Sequence, residues 1–407
     1  MKLGKIISMV GGDGEFSYQR MGVLQASAIK TLEPLMAEAV KQMSLPKQGP
    51  LHIADLGCST GRNSISYINF IVKCIIDRYL EASENNGHVT CMPEMLVSFM
   101  DLPGNDFNNL VQLLASEAKN AKDLAGSVNG ANVGRASNYF SAMMGGSFYN
   151  RLLPKESIHF AISTFSLHWM SQIPATVTDK SSPLYNKGRI WILGGNPTIA
   201  REYAQQSMLD LDNFLDSRAA EMVPGGILFA SFVSRHDAAN PENQLNPESH
   251  YRCVFGPDLE NAWNDLIDDG VVTTEIRDTY NLPSYFRSKE EVEAAIIKCG
   301  AFDIQYLQSP VDENVCPDDE LMHMLRFPKS FATFLSAWVR AMTGPSIEAH
   351  MGRHNTDEFF IRYQRRITAH ATSLLSDPKA QQEYKIFEST FLFVVLKRKG
   401  FNTSVTR

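Results

Sequence analysis

The stretch LHIADLGCSTGRN, Leu51 to Asn63, decides the fold. An apolar run (Leu51, Ile53, Ala54) ends at Asp55, and Gly57 and Gly61 bracket a turn of small residues. Asn63 then opens a helical pattern carried by Ile65, Ile68, Ile71, Val72, Ile75 and Ile76. Strand, glycine turn and helix in succession form the first unit of a doubly wound α/β sheet, whose ligands bind beyond the carboxyl ends of the strands. The two glycines admit backbone conformations closed to other residues and let a cofactor approach the main chain. No Lys-Ser/Thr pair follows, so this is not a P-loop, and the spacing Asp-x-Gly-x-x-x-Gly is not the GxGxxG of a dinucleotide site. The pattern suits S-adenosylmethionine (SAM) better than a dinucleotide.

Outward from this unit, further strands are expected at 95–99, 133–139, 157–164, 226–233, 302–307 and 390–396, where apolar alternation or short apolar runs recur. The second strand runs into Asp101-Leu102-Pro103-Gly104-Asn105-Asp106. A carboxylate there can accept from both hydroxyls of a ribose. Asn105 or Asp106 can cap the helix expected from Phe107 to about Leu124. The fourth strand is followed by Phe165-Ser166-Leu167-His168-Trp169. Aromatics and a histidine at a strand's carboxyl end lie where substrates bind in such sheets. Core packing of Trp169 beside a satisfied His168 is the other reading.

Helical patterns cover 21–42, 196–222, 257–269, 288–299, 318–342 and the chain from about 355. Those near the carboxyl end carry Met322, Met324, Phe331, Phe334, Trp338 and Met342, a stripe that suits a core or the lining of a cap. Gly11, Gly12 and Gly14, followed by Ser17 and Tyr18, read as a loop, either a free terminus or a flap over a site.

The chain has 407 residues, 44% of them hydrophobic and 20% charged, enough for a sizeable core. A net charge of −7 without a basic stripe excludes a general nucleic-acid binder. The six cysteines form no CxxC pair and no zinc spacing, as expected of reduced thiols. No run reaches the length of a membrane span, and the amino terminus lacks a signal-peptide core, so a soluble cytoplasmic protein with no membrane partner is expected.

Four stretches together carry a resemblance: GGDGEFSYQRMGVLQ (11–25), IADLGCSTGRN (53–63), SFMDLPGNDFN (98–108) and SFYNRLLPKESIHFAISTFSLHWMSQIP (147–174). With them the chain resembles the plant salicylate/benzoate/theobromine (SABATH) family of SAM-dependent methyltransferases over essentially its whole length. The resemblance implies a class I SAM-dependent methyltransferase fold, α/β and Rossmann-like with a seven-stranded sheet and an α-helical cap, in a homodimer. The expected segments are an amino-terminal flap and helix (1–50), a SAM-binding core (51–233), cap segments (234–300 and 312–385), and strands returning to the sheet (301–311 and 386–399).

Carried over position by position, the SAM pocket uses Tyr18, Asp55, Gly57, Cys58, Asn63, Asp101, Leu102, Ser147 and Phe148. Asp101 takes the ribose hydroxyls, and Leu102 and Phe148 sandwich the adenine. Gln25 and the indole N–H of Trp169 hold the substrate carboxylate. Phe165, His168, Phe255, Tyr285, Val339 and Met342 form the rest of that pocket. Asn186, Asp278, Tyr280 and Asn281 match positions given to a magnesium ion in some members, an ion not needed for the chemistry.

Departures from the family pattern are Met21-Gly22 for Asn-Ser, Val10 for lysine, Phe165 for tyrosine and Arg62 for proline. The branch acting on cinnamate-type acids and indole-3-acetate is the most similar. The expected substrate is a small aromatic acid, with cinnamate or p-coumarate first, indole-3-acetate second and benzoate or salicylate third. Competing readings are a nicotinamide-dependent oxidoreductase, which would want GxGxxG, and a non-catalytic protein that binds SAM or a small acid.

Overall fold

The computed structural model describes residues 8–12, 14, 16–46, 48–86, 92–125, 139–245, 256–309, 323–377 and 391–400. Strands β1 (Leu51–Leu56), β2 (Met95–Asp101), β3 (Phe140–Gly145), β4 (Ile158–Thr164), β5 (Met222–Arg235), β6 (Arg287–Ser288), β7 (Phe302–Gln308) and β8 (Phe391–Arg398) form one sheet. Seven of them lie in the order β3-β2-β1-β4-β5-β8-β7, the expected seven-stranded path, and the two-residue β6 adds to β5. Neighbours from β3 through β5 run parallel, whereas β8 is antiparallel to both β5 and β7. The strand order reverses between β1 and β4, and the crevice at such a point is where doubly wound sheets bind ligands.

All six residues of β1 are buried, as a parallel strand covered on both faces requires. The alternation sorts them: Leu51 and Ile53 join one apolar cluster, Ala54 and Leu56 the other. The first cluster holds the helix Arg62–Asn86 and continues without a break into helices Pro257–Asp268, Pro328–Met351 and Arg353–Leu375. Those three make the cap, and Arg362 and Arg366 pin the last of them to the first, at its C-cap Asp269 and at Asp265 within it. The second cluster packs helices Pro197–Glu221 and Lys289–Cys299 on the opposite face.

Several expected boundaries move, each for a local reason. The amino-terminal helix expected over 21–42 is three helices, Tyr18–Met21, Val23–Thr31 and Glu33–Gln42. Gly22 interrupts the run, and Pro34 falls in the first turn of the third helix, the place a proline suits. The Pro224-Gly225-Gly226 turn lies inside β5, where the register against β4 shifts between Ile158 and Phe160. Gly225, at φ +79°, takes Ser44 against its backbone, a place where a Cβ would stand 2.2 Å from the serine Oγ. β3 is Phe140–Gly145, while 133–138 of the expected strand lies outside the described residues, as do Met322, Phe255 and Cys91, Cys253 and Cys316. The helix expected over 318–342 extends as far as Met351, although it contains Pro345.

Gly57 and Gly61 are both required where they stand, at φ +98° and +97°. A Cβ on Gly61 would sit 2.2 Å from Leu110 Cδ1, a buried side chain of the helix Phe107–Ala125. Gly61→Ala combines that clash with a left-handed backbone, and should cost about 2–4 kcal/mol of unfolding free energy in urea. An unchanged denaturation midpoint would show that the turn is not held as described.

Candidate active site

Asp101 at the end of β2 accepts the backbone N–H of Ser59 and of Leu102, each at 2.7 Å. The loop after β1 is thereby fastened to the loop after β2. Asn105 Nδ2 donates to the Ser59 carbonyl at 2.7 Å and Asn109 Nδ2 to that of Thr60 at 3.0 Å. The cap of the following helix falls to Asp106, whose Oδ1 accepts from the Asn109 N–H at 3.1 Å. Asp101 and Asp106 therefore do different work, and the carboxylate of Asp101 is left at the crevice.

A cleft of about 870 Å³ opens there. Tyr18, Gly57, Cys58, Asn63, Asp101, Leu102, Ser147 and Phe148 all line it, and so do Gln25, Phe165 and Trp169. Residues from 18 to 169 in the chain, nominated as two sets, thus share one cavity. Asp55 lies just beneath, fully buried, accepting from the Tyr67 hydroxyl at 2.6 Å, with its second oxygen unpartnered among the described residues. Burial pushes its carboxyl up to about 7, against the pull of Tyr67 and Ser64. Burial likewise raises Asp101 to about 6, against its two backbone donors.

The remaining nominated side chains do not line the cleft. His168 is buried behind Trp169, their ring centroids 5.4 Å apart. Burial, helped by the nearby Arg287, depresses its imidazole to about 3, and its Nδ1 has no partner among the described residues. Tyr285 is turned away: its hydroxyl donates to Glu291 at 2.8 Å and Arg235 covers its ring. Met342 touches Gln25, with Sδ 4.0 Å from Nε2, and Val339 is fully buried on the same helix. Phe255 lies outside the described residues.

The loop that carries Phe165 and Trp169 is held from several sides. Tyr149 donates to the Trp169 carbonyl at 2.5 Å, Arg287 donates to that of Leu167, and the Met170 N–H meets the Pro283 carbonyl at 2.9 Å. Phe165 itself sits at φ +53°, an unusual backbone for a phenylalanine, with its ring edge-on to Phe391. Neither fixing partner was visible as a site residue in the sequence, because each acts through backbone carbonyls far along the chain. Met9, Ile29, Tyr67, Ser166 and Met170 also line the cleft. Tyr67 had a signal, standing one helical turn after Asn63 on the same face.

The four magnesium candidates do not fit the ion. Asp278, their one carboxylate, is paired with Arg277 at 2.8 Å and accepts the Gly188 N–H at 3.0 Å. Asn281 Oδ1 is taken by Asn186 Nδ2 and by Tyr203, and the Tyr280 hydroxyl by Ser346. A hard dication wants several free oxygen ligands. Here a guanidinium stands on the only anionic one. No group of three or more His, Cys, Asp or Glu among the described residues could hold a metal.

No helix among the described residues is long and apolar enough to cross a membrane. A family described as SAM dependent carboxyl methyltransferase matches residues 4–399. The chain is 35% identical to indole-3-acetate O-methyltransferase 1 of Arabidopsis thaliana, covering 92% of this chain and 93% of the relative. It is 34% identical to gibberellic acid methyltransferase 2 of the same plant, with 90% of each covered. It is 30% identical to a benzoic acid/salicylic acid carboxyl methyltransferase of Petunia hybrida, covering 90% of this chain and 94% of the relative. Among solved structures, loganic acid methyltransferase with SAH superposes with a TM-score of 0.77 at 28% identity, over 96% of this chain and 99% of that one. These likenesses overturn the nicotinamide reading and the non-catalytic one. The sheet order, the cleft at its switch point and the family match over residues 4–399 agree, and the chain belongs to the SAM-dependent carboxyl methyltransferases of the SABATH family.

Proposed function

We propose that this enzyme makes the methyl ester of a small aromatic acid whose ring and carboxylate are joined by a short spacer. Cinnamate, p-coumarate and indole-3-acetate are the acids of that class, with benzoate and salicylate behind them. The observation that carries the reading is that Gln25 and Trp169, two neutral donors, share one cleft with the nominated cofactor residues. No described residue accepts from the Trp169 indole N–H, which leaves it available to an acid. Likeness to a relative named for indole-3-acetate supports raising that acid to stand with cinnamate.

In this reading SAM lies along the β1–β2 edge. Its ribose is on Asp101, its adenine between Leu102 and Phe148, and its remaining contacts are from Tyr18, Cys58, Asn63 and Ser147. Phe148 is well placed as a rigid wall, packed edge-on against Tyr149 and Phe214 at 4.7 and 5.9 Å. A carboxylic acid of pKa roughly 4 is already ionised at neutral pH, so methyl transfer from the sulfonium needs no base. The task of the site is to hold one carboxylate oxygen in line with the methyl carbon. An arginine would stabilise the anion whose charge disappears as the ester forms, and so oppose transfer, whereas an amide and an indole N–H fix the oxygens more lightly. We take the enzyme to work as a cytoplasmic homodimer, which sedimentation of the purified protein tests.

Incubation with labelled SAM and a panel of cinnamate, p-coumarate, indole-3-acetate, benzoate, salicylate, gibberellic acid, a jasmonate and a xanthine should place label on the spacer-bearing aromatic acids. Label on gibberellic acid or the jasmonate alone would overturn the aromatic assignment, and label on the xanthine alone the carboxylate one.

The raised carboxyls give the cofactor a pH dependence. A sulfonium and two donating hydroxyls favour ionised Asp101 and Asp55, so binding must pull protons off groups that hold them up to about 6 and 7. Affinity for SAM should be full above pH 7 and fall as pH drops to 5, by up to about tenfold per unit per group. Calorimetry across that range is the check, and a flat profile would contradict it. Asp101→Asn should flatten the lower part of the slope.

His168, held neutral by burial, serves as a wall behind Trp169. His168→Asn should lower kcat by less than about tenfold, short of the 10²–10⁴ that loss of a general base costs. A larger loss with unchanged KM would reassign it.

A further inference from the structure

Gln25 is buried, 7% exposed, and its amide can face the cleft by either end. The ends are not equivalent toward a carboxylate, which only accepts. The NH₂ end binds it and the carbonyl end repels it. Within the helix Pro328–Met351, the Trp338 indole Nε1 donates to Gln25 Oε1 at 3.2 Å, across a separation of 313 residues. An indole N–H can only donate, so the atom facing it must be the amide oxygen. The NH₂ end is thereby turned toward Met342 Sδ, 4.0 Å away, a weak acceptor that a carboxylate oxygen readily outcompetes.

We propose that Trp338 is the positioning residue that makes Gln25 a carboxylate donor, by locking its amide with the NH₂ end held only by the weak Met342 acceptor. This rests on the assignment of Gln25 to the acid carboxylate given above. Trp338 does not line the cleft, so its route to the acid is through Gln25. It is 2% exposed, on the buried face of its helix with Leu335 and Met342 one turn to either side, which restrains the indole. Without the N–H the amide can turn over, and a share of the molecules present a carbonyl oxygen to the acid. Discrimination between an acid and its primary amide then weakens, because the amide has a donor for the flipped carbonyl.

The test is a double-mutant cycle with Trp338→Phe, Gln25→Leu and the double variant. It uses labelled SAM and the faster of cinnamate and indole-3-acetate, with the primary amide of the same acid as inhibitor. Trp338→Phe should raise the KM of the acid by about 3–10-fold, the worth of one neutral hydrogen bond, leaving the KM of SAM unchanged. The amide inhibitor should lose less affinity than the acid. In the Gln25→Leu background the same substitution should add no further change. A Trp338→Phe effect that persists in that background, or that falls on SAM equally, would overturn the proposal as mere packing. An unchanged KM in Gln25→Leu alone would instead sink the carboxylate assignment, so the two failures are told apart. Should Trp338→Phe not fold, the isosteric benzothienylalanine at 338, which keeps the bicyclic shape and deletes only the N–H, reads the same KM.

Discussion

The carboxylate of Asp101, bridging the N–H groups of Ser59 and Leu102, is the constraint on which the site depends. It closes the loop after β1 onto the loop after β2, so the glycine turn has its shape before a ligand arrives. Asn63, Asn105 and Asn109 extend the same lacing, the first by donating to the Gly22 carbonyl at 3.0 Å. Buried carboxyls near each other are costly when charged, and Asp101 adds to the cost of charging Asp55. The backbone donors and the Tyr67 hydroxyl offset part of that cost. In the proposed reading a cationic ligand offsets the rest.

The side of the cleft proposed for the acid is built differently. One apolar cluster runs from the sheet through the cap, so the cap helices are not a separate lid but part of the same core. Gln25 comes from the amino-terminal helices, Trp169 from the loop after β4, and Trp338 and Met342 from the cap. Three distant parts of the chain thus converge here, and the cap helix alone holds both ends of the Gln25 amide. Strain at Phe165, whose φ is +53°, is carried where the loop must turn its aromatic side chains into the cleft, and Tyr149 and Arg287 hold it there through main-chain carbonyls.

Local pattern made the core legible. Gly57, Gly61, Asp101 and the strands β1, β2 and β4 are short-range signals, and each is where the sequence placed it, whereas β3 begins only at Phe140. What stayed hidden was long-range. Nothing near Trp338 distinguishes it from the Met and aromatic stripe around it, since its role appears only when residue 25 is brought against it. Tyr285 and Val339 failed to reach the cleft because burial and a competing acceptor, Glu291 for the tyrosine, decide orientation, and neither can be read from spacing. The magnesium set failed for the same reason: Arg277 precedes Asp278 in the chain, but only the fold turns its guanidinium onto that carboxylate.

The division between the halves explains how such an enzyme can change acids without changing chemistry. Methyl transfer to an ionised carboxylate asks only for two donors at fixed positions and a dry path to the sulfonium. His168, its imidazole pushed down to about 3 by burial and away from the cleft lining, fits a reading in which proton transfer has no part. The walls are then free to vary. Phe165, without the phenolic hydroxyl its tyrosine counterpart would bring, lines the cleft together with Met170 and Ile29, and in the proposed reading such an apolar lining selects by shape. One methylene in such a pocket is worth only about 1–3 kcal/mol, so neighbouring acids overlap and a few substitutions shift the preference. Discrimination against neutral molecules cannot come from those walls. In the proposed reading it comes from the donors, and hence from whatever keeps the Gln25 amide facing the right way.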